Sequence, residues 1–285
     1  MLGKKLQINS RMVISKRRLF NWFKVIVILY CLMGIVLYYF QDSILFHPKK
    51  LAPDFRYQFS DFFKENIIPL NKKDSIHFLQ IYPSKNTLKD QVRGLVILFH
   101  EASGNVQEYS KRIKIYTDNG YELWIPDYPG FGKSKGDLNE KSLYEMAFQL
   151  NRLAENKYKE SDIIIHGIEF GASIAANLAS SKGFKHLILE FPFLSIPEMW
   201  STYLPIYPWN SMSRYKMPTA QFLKEVNVPV TIISSEKESS TWKKFLKQND
   251  RIVIEKEEIE IEKMKSKNYV DNLVAVLNNT TTLSK

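Results

Sequence analysis

The sequence predicts an α/β protein, a doubly wound and mostly parallel sheet with a short lid-like insertion, preceded by one transmembrane helix. Three observations predict it. Beyond residue 41, short apolar runs alternate with amphipathic segments, the order that strand–helix–strand units leave in a chain. Several runs, such as LVILF at 95–99 and III at 163–165, are apolar without interruption, as strands covered on both faces are. Ahead of them, a basic arm leads into 16 residues, 25–40, that carry no charge or strongly polar group. With 285 residues, 45% hydrophobic and 25% charged, the chain can bury a large core, which excludes a disordered or collagen-like protein. Its one cysteine, Cys31, excludes a disulfide-stapled scaffold and leaves the redox compartment open.

Residues 1–24 hold seven positive charges and no acidic residue. The apolar run that follows, VIVILYCLMGIVLYYF, is short against the roughly 20 residues that a bilayer core requires. Trp22 and Phe23 extend it, Lys24 can snorkel, and Trp22, Tyr38 and Tyr39 stand where an aromatic belt belongs. A buried core helix and a cleaved signal peptide share parts of this pattern. No small-residue cleavage site follows Phe40 and the basic arm is long, so the reading is an uncleaved signal anchor. Its basic end faces the cytoplasm and the C-terminal domain lies on the far side of the membrane. The formal charge of +10 then loses its first meaning: removing the arm leaves 33 basic against 30 acidic residues. Nucleic-acid binding is set aside, and membrane lipid at the N-terminal anchor becomes the expected partner.

The folded domain is expected over 45–278, with a polar tail over 279–285. Strands are predicted at Ile76–Tyr82, Gly94–His100, Glu122–Pro126, Asp162–Gly167, His186–Glu190, Pro229–Ser234 and Arg251–Ile254. Helices are predicted near Gln107–Asn119, Glu140–Asn156, Ala172–Ser181, Ser240–Gln248 and Ser266–Leu277. The stretch 191–219, rich in Pro, Trp, Tyr and Met, breaks the rhythm and is read as the insertion. Ligands of such sheets bind outside the carboxyl ends of the strands, which is where the candidate residues are sought.

Three strand ends read HEASGN at 100–105, DYPGFGKSKG at 127–136 and GIEFGA at 167–172. With QDSILFHP at 41–48 and LEFPFLSIPE at 189–198, they resemble in order and spacing the α/β-hydrolase fold, in particular its membrane-anchored, serine-aminopeptidase-like branch. The resemblance runs from about Gln41 to Leu277. It implies that 167–171 is the nucleophile elbow, G-x-S-x-G, and that Glu169 stands where the serine would be. It implies an oxyanion-hole region at Glu101, Ala102 and Phe170, a ligand-binding place in this chain. It puts the catalytic histidine in the loop between the last strand and last helix, Glu255–Lys267, where there is none: the five histidines are His47, His77, His100, His166 and His186. The triad acid is matched only by Glu238. Glu169, at the start of a helix, is expected to fold its carboxylate into the anion site and plug it, or else to stand solvated there.

Other constellations are weaker. Gly132–Gly136 also spells G-x-S-x-G, but Ser134 follows a Gly/Pro-rich turn rather than leading from strand into helix, so it is read as a loop serine. His100 and His166 are read as framework histidines, and Ser103 and Ser173 have no visible base. Glu101, Asp127, Glu169 and Glu238 all map to strand ends; they are read as separately solvated or lysine-paired, since their spacing is no metal signature, and neither metal nor cofactor is expected. Two functions are left. One is a membrane-tethered, non-catalytic hydrolase-like protein that binds a small ligand or a protein partner, through the pocket or through Trp200, Tyr203, Tyr207 and Trp209 of the insertion. The other is a diverged hydrolase of ester, acyl or peptide bonds with an acid nucleophile.

Overall fold

The structure, a computed structural model, describes residues 16–84, 92–234, 242, 244–245, 254–258 and 267–279. It divides into two compact units, residues 1–42 and 43–285. In the first unit, helix α1 (Lys16–Tyr39) runs for 24 residues, almost all of them exposed, and is long and apolar enough to cross a membrane. At 1.5 Å per residue it is about 36 Å long. It reaches back nine residues before the apolar run at Val25, because KRRLFNWFK contains neither Pro nor Gly and nothing stops the helix there. A short helix α2 (Gln41–Leu45) follows.

In the second unit, strands β1 (His47–Pro48), β2 (Phe63–Pro69), β3 (Ser75–Ile81), β4 (Gly94–Phe99) and β5 (Ser103–Gly104) lead through a 3-10 turn, Val106–Tyr109, to helix α3 (Ser110–Thr117). Then come β6 (Tyr121–Pro126), α4 (Glu140–Glu155), β7 (Ile163–Ile168), α5 (Phe170–Ala179) and β8 (His186–Glu190). Three short helices, α6 (Ile196–Tyr203), α7 (Trp209–Met212) and α8 (Thr219–Leu223), precede β9 (Val230–Ser234), β10 (Ile254–Glu258) and α9 (Lys267–Asn279).

Eight strands form one sheet in the order β10-β9-β8-β7-β4-β6-β3-β2. The six from β10 to β6 are parallel, while at one edge β3 pairs antiparallel with β6, and β2 antiparallel with β3. Every residue of β4, β6, β7, β8 and β9 is buried, which is why those runs are apolar or carry paired polar groups. One buried apolar cluster packs the sheet against α4 and α5, and a second packs it against α3 and α9, so the sheet is doubly wound. β4 connects to β6 on one side and β7 lies on its other side, so the order reverses at β4. That reversal is the switch point where such sheets open a crevice.

Candidate functional site

The switch point is bounded by the loop after β4 and the turn after β7, whose strands pair with Phe99 opposite Gly167. The turn from β7 into α5 is a single residue, Glu169, held at φ 48°, ψ −107°. Two glycines make the turn possible. A Cβ on Gly167 would lie 2.5 Å from the Ala172 Cα, and one on Gly171 would lie 2.2 Å from the Phe99 carbonyl oxygen. Helix α5 can therefore approach the sheet only where both positions lack side chains. Glu169 donates its backbone N–H to the Glu190 carbonyl at 2.7 Å, and its own carbonyl accepts from Ala172 at 3.1 Å. The Glu169 side chain is exposed and makes no capping hydrogen bond to α5, which departs from the expected plugging of the anion site. At φ 48° the apex residue stands in the left-handed region that non-glycine residues rarely adopt.

Phe170, the first residue of α5, is buried, and its ring meets Phe46 edge-on with centroids 4.8 Å apart. Ala102 is half-buried, and its carbonyl accepts from the His47 N–H at 2.9 Å, so β1 is stitched to the loop after β4. The N–H of Glu101 donates to the Tyr109 hydroxyl at 3.2 Å, and its carboxylate accepts from the Ser103 hydroxyl at 3.2 Å. Burial pushes the Tyr109 phenol up, and the charges of Glu101 and Glu169 both add to that, so the two carboxylates share its surroundings. Asp127 does not join them. Fully buried, it accepts from the Val106 N–H at 3.1 Å and from Tyr57 and Lys133 at 3.3 Å, which makes it a structural anchor of its loop. Glu238 lies outside the described residues, as does most of Glu255–Lys267, of which 255–258 are seen in β10 and Lys267 at the start of α9.

All five histidines lie in the described residues. His47 is exposed on β1. His77 is buried, with Nε2 3.0 Å from Glu65 and Nδ1 3.3 Å from Asp127. His100 is fully buried, its ring stacked on Tyr128 at 4.0 Å and its Nδ1 2.7 Å from the Glu101 carbonyl; burial pulls its pKa down. The Tyr128 hydroxyl donates to the His100 carbonyl. His166 is held between Glu190, 2.8 Å from Nε2, and the Tyr116 hydroxyl, 2.8 Å from Nδ1. His186 lies 2.8 Å from the Thr231 hydroxyl. Ser134 is committed too: its hydroxyl donates to the Asp127 carbonyl at 2.7 Å and accepts from the His77 N–H at 2.8 Å.

Sequence reasoning did not single out Arg112, Glu190 and Tyr116. Arg112 Nη1 is 2.8 Å from one oxygen of Glu190 while His166 holds the other, a buried network directly beside the elbow. An acid at the end of an otherwise apolar strand, HLILE, was the signal available, since a buried carboxylate requires a partner. Among the described residues no group of three or more His, Cys, Asp or Glu side chains is placed to hold a metal ion.

Residues 90–270 match the sequence model of a protein family, Hydrolase_4, described as Serine aminopeptidase, S33. Over 122 residues the chain is 30% identical to the multifunctional-autoprocessing repeats-in-toxin of Vibrio cholerae, an alignment covering 40% of this chain and 3% of that protein. Over 137 residues it is 25% identical to an uncharacterized protein of Mycobacterium tuberculosis, covering 46% and 49%. The chain thus spans about half, or far less, of the length of these curated relatives. Among solved structures, the esterase Pf2001 of Pyrococcus furiosus superposes with a TM-score of 0.60 at 14% identity, over 82% of this chain and 98% of that one. An α/β hydrolase from Vibrio vulnificus gives 0.58 at 17% identity, over 75% and 80%. At such identities the likeness is one of fold.

Proposed function

The chain belongs to the serine aminopeptidase S33 family, and from that membership we propose that it uses the hydrolase fold as a membrane-tethered binding module without serine-hydrolase chemistry. The observation that carries the reading is Glu169 at the apex of the elbow, φ 48°, where this fold presents its nucleophile. A carboxylate there offers no hydroxyl to acylate. Catalysis by the usual route also needs an imidazole within hydrogen-bond reach of the nucleophile. Each buried histidine has its ring nitrogens or ring face engaged inside the core, and the fifth, His47, lies exposed on β1. In this reading the crevice, lined by Glu101, Ala102 and Phe170, holds a ligand or a partner segment without turning it over, and α1 keeps the domain at a membrane.

A second reading, a diverged hydrolase with Glu169 as nucleophile, draws on the exposure of that side chain at the apex of the elbow. The two separate in one experiment. The full chain in detergent is treated with a serine-directed fluorophosphonate and assayed on p-nitrophenyl acyl esters. No labelled serine and no turnover above buffer are expected. A labelled serine, or turnover that Glu169→Gln abolishes, would overturn the binding-module reading.

A further inference from the structure

The insertion between β8 and α8 presents an apolar tip that its own scaffold holds out into solvent. Tyr203 is 73% and Ile206 65% exposed, and Pro205 between them is exposed as well. The same segment buries Tyr207 and Trp209, so exposure is not general to it. The tip is rigid at both ends: Leu204 donates its N–H to the Trp200 carbonyl at 2.8 Å, and the Trp209 indole donates back to the Leu204 carbonyl at 2.7 Å. The stacked rings of Trp200 and Trp209, 5.3 Å apart, close the base. Arg214 and Lys216 are exposed farther along the same insertion, which thus shows both apolar and basic side chains to solvent. That composition suits a lipid headgroup boundary.

The chain itself says what covers the tip. Three residues, 40–42, separate the end of α1 from Ser43, the first residue of the globular unit. Fully extended, that link spans at most about 14 Å. Where the link enters the globular unit is fixed by Phe46, whose ring packs on Phe170 at the elbow and, at 4.9 Å, on Tyr215 of the insertion. The tether therefore joins the domain at the carboxyl ends of the strands, the end that carries both the crevice and the insertion.

We propose that the tip formed by Tyr203, Pro205 and Ile206 is a membrane-docking surface that inserts into the headgroup region of the bilayer holding α1, so that the elbow crevice opens beside lipid. The inference rests on the membrane tethering proposed above, and the experiment separates the two. Full-length protein carrying Cys31→Ser and Tyr203→Cys is labelled with an environment-sensitive nitrobenzoxadiazole dye and reconstituted into phosphatidylcholine–phosphatidylglycerol vesicles with lipids brominated near the headgroup. A second label at Lys159→Cys serves as control; Lys159 is exposed at the amino end of β7, opposite the elbow. Flotation with the vesicles reports the tether. With flotation, quenching and a blue shift at 203 but not at 159 are expected. Flotation with 203 as unquenched as 159 overturns the docking surface while leaving the tether standing, and failure to float overturns both. Ile206→Cys, labelled in the same way with Tyr203 kept, gives the same readout should Tyr203→Cys fail to fold.

Discussion

The backbone N–H of Glu169 donates a 2.7 Å hydrogen bond to the carbonyl of Glu190. The apex of the elbow is thereby tied to the last residue of the neighbouring strand, and that residue is itself fixed through its carboxylate, which lies 2.8 Å from both Arg112 and His166. A turn with an unfavourable backbone conformation persists only where its surroundings over-determine it, and here they do so from two directions.

Removing the Glu190 carboxylate leaves Arg112 and His166 without the charge they share. Glu190→Ala is expected to cost about 3–5 kcal/mol in urea denaturation, the range for breaking a buried pair by deleting one partner. A loss under about 1 kcal/mol would show the network to be incidental.

Gly171→Ala places a methyl 2.2 Å from the Phe99 carbonyl oxygen, a backbone atom that cannot swing aside. A loss of about 1–3 kcal/mol is expected, as for overpacking elsewhere. Gly183→Ala is the matched comparison, because its methyl would meet only the Glu160 carboxylate at 3.4 Å, an ordinary contact. Equal losses at the two positions would refute the close-approach account.

Glu169→Ser restores the family's elbow residue but brings no base with it. Ester turnover by this variant is expected to stay at the buffer background between pH 6 and 9. Turnover that saturates with substrate would mean that one of the five histidines reaches the apex, although four of them are engaged by the partners described above.

His186 gives the fold a signature in acid. Burial first, then the neighbouring Lys185, pull its pKa from 6.5 down to about 4. The native ring is neutral, whereas the unfolded ring takes up a proton below its ordinary pKa. Its contribution to stability is therefore complete above pH 6.5 and is lost as the pH falls through 4, with a slope of at most roughly 1.4 kcal/mol per pH unit. His186→Asn should flatten the denaturation midpoint across that window; an unchanged slope would place the titration elsewhere.

The parallel strands were legible because their burial on both faces writes an apolar run, and His186–Glu190 falls where the sequence puts it. Strand β2 was not legible: FKENIIP lies at the sheet edge with four of its seven residues exposed and none fully buried, so it carries no such run. The predicted helix from Gln107 divides into a 3-10 turn and α3, a local difference in hydrogen bonding that periodicity does not encode. At the site, the glycine spacing disclosed the elbow, since the glycines answer to backbone clearance. The tie from the Glu169 N–H to Glu190 and the Arg112–Glu190–His166 network depend on contacts 20 to 80 residues apart in sequence, which no local pattern records.

Ser134 carries a lesson for sorting proteins by pattern. The five letters Gly132 to Gly136 satisfy the text of a hydrolase signature, while their hydroxyl is consumed in clasping the Asp127 and His77 backbones. A census that counts such strings would enter this chain as an armed enzyme and name the wrong serine. A census keyed to a one-residue turn from strand into helix, flanked by two glycines whose Cβ would strike backbone, would find the elbow, along with the acid that now sits in it.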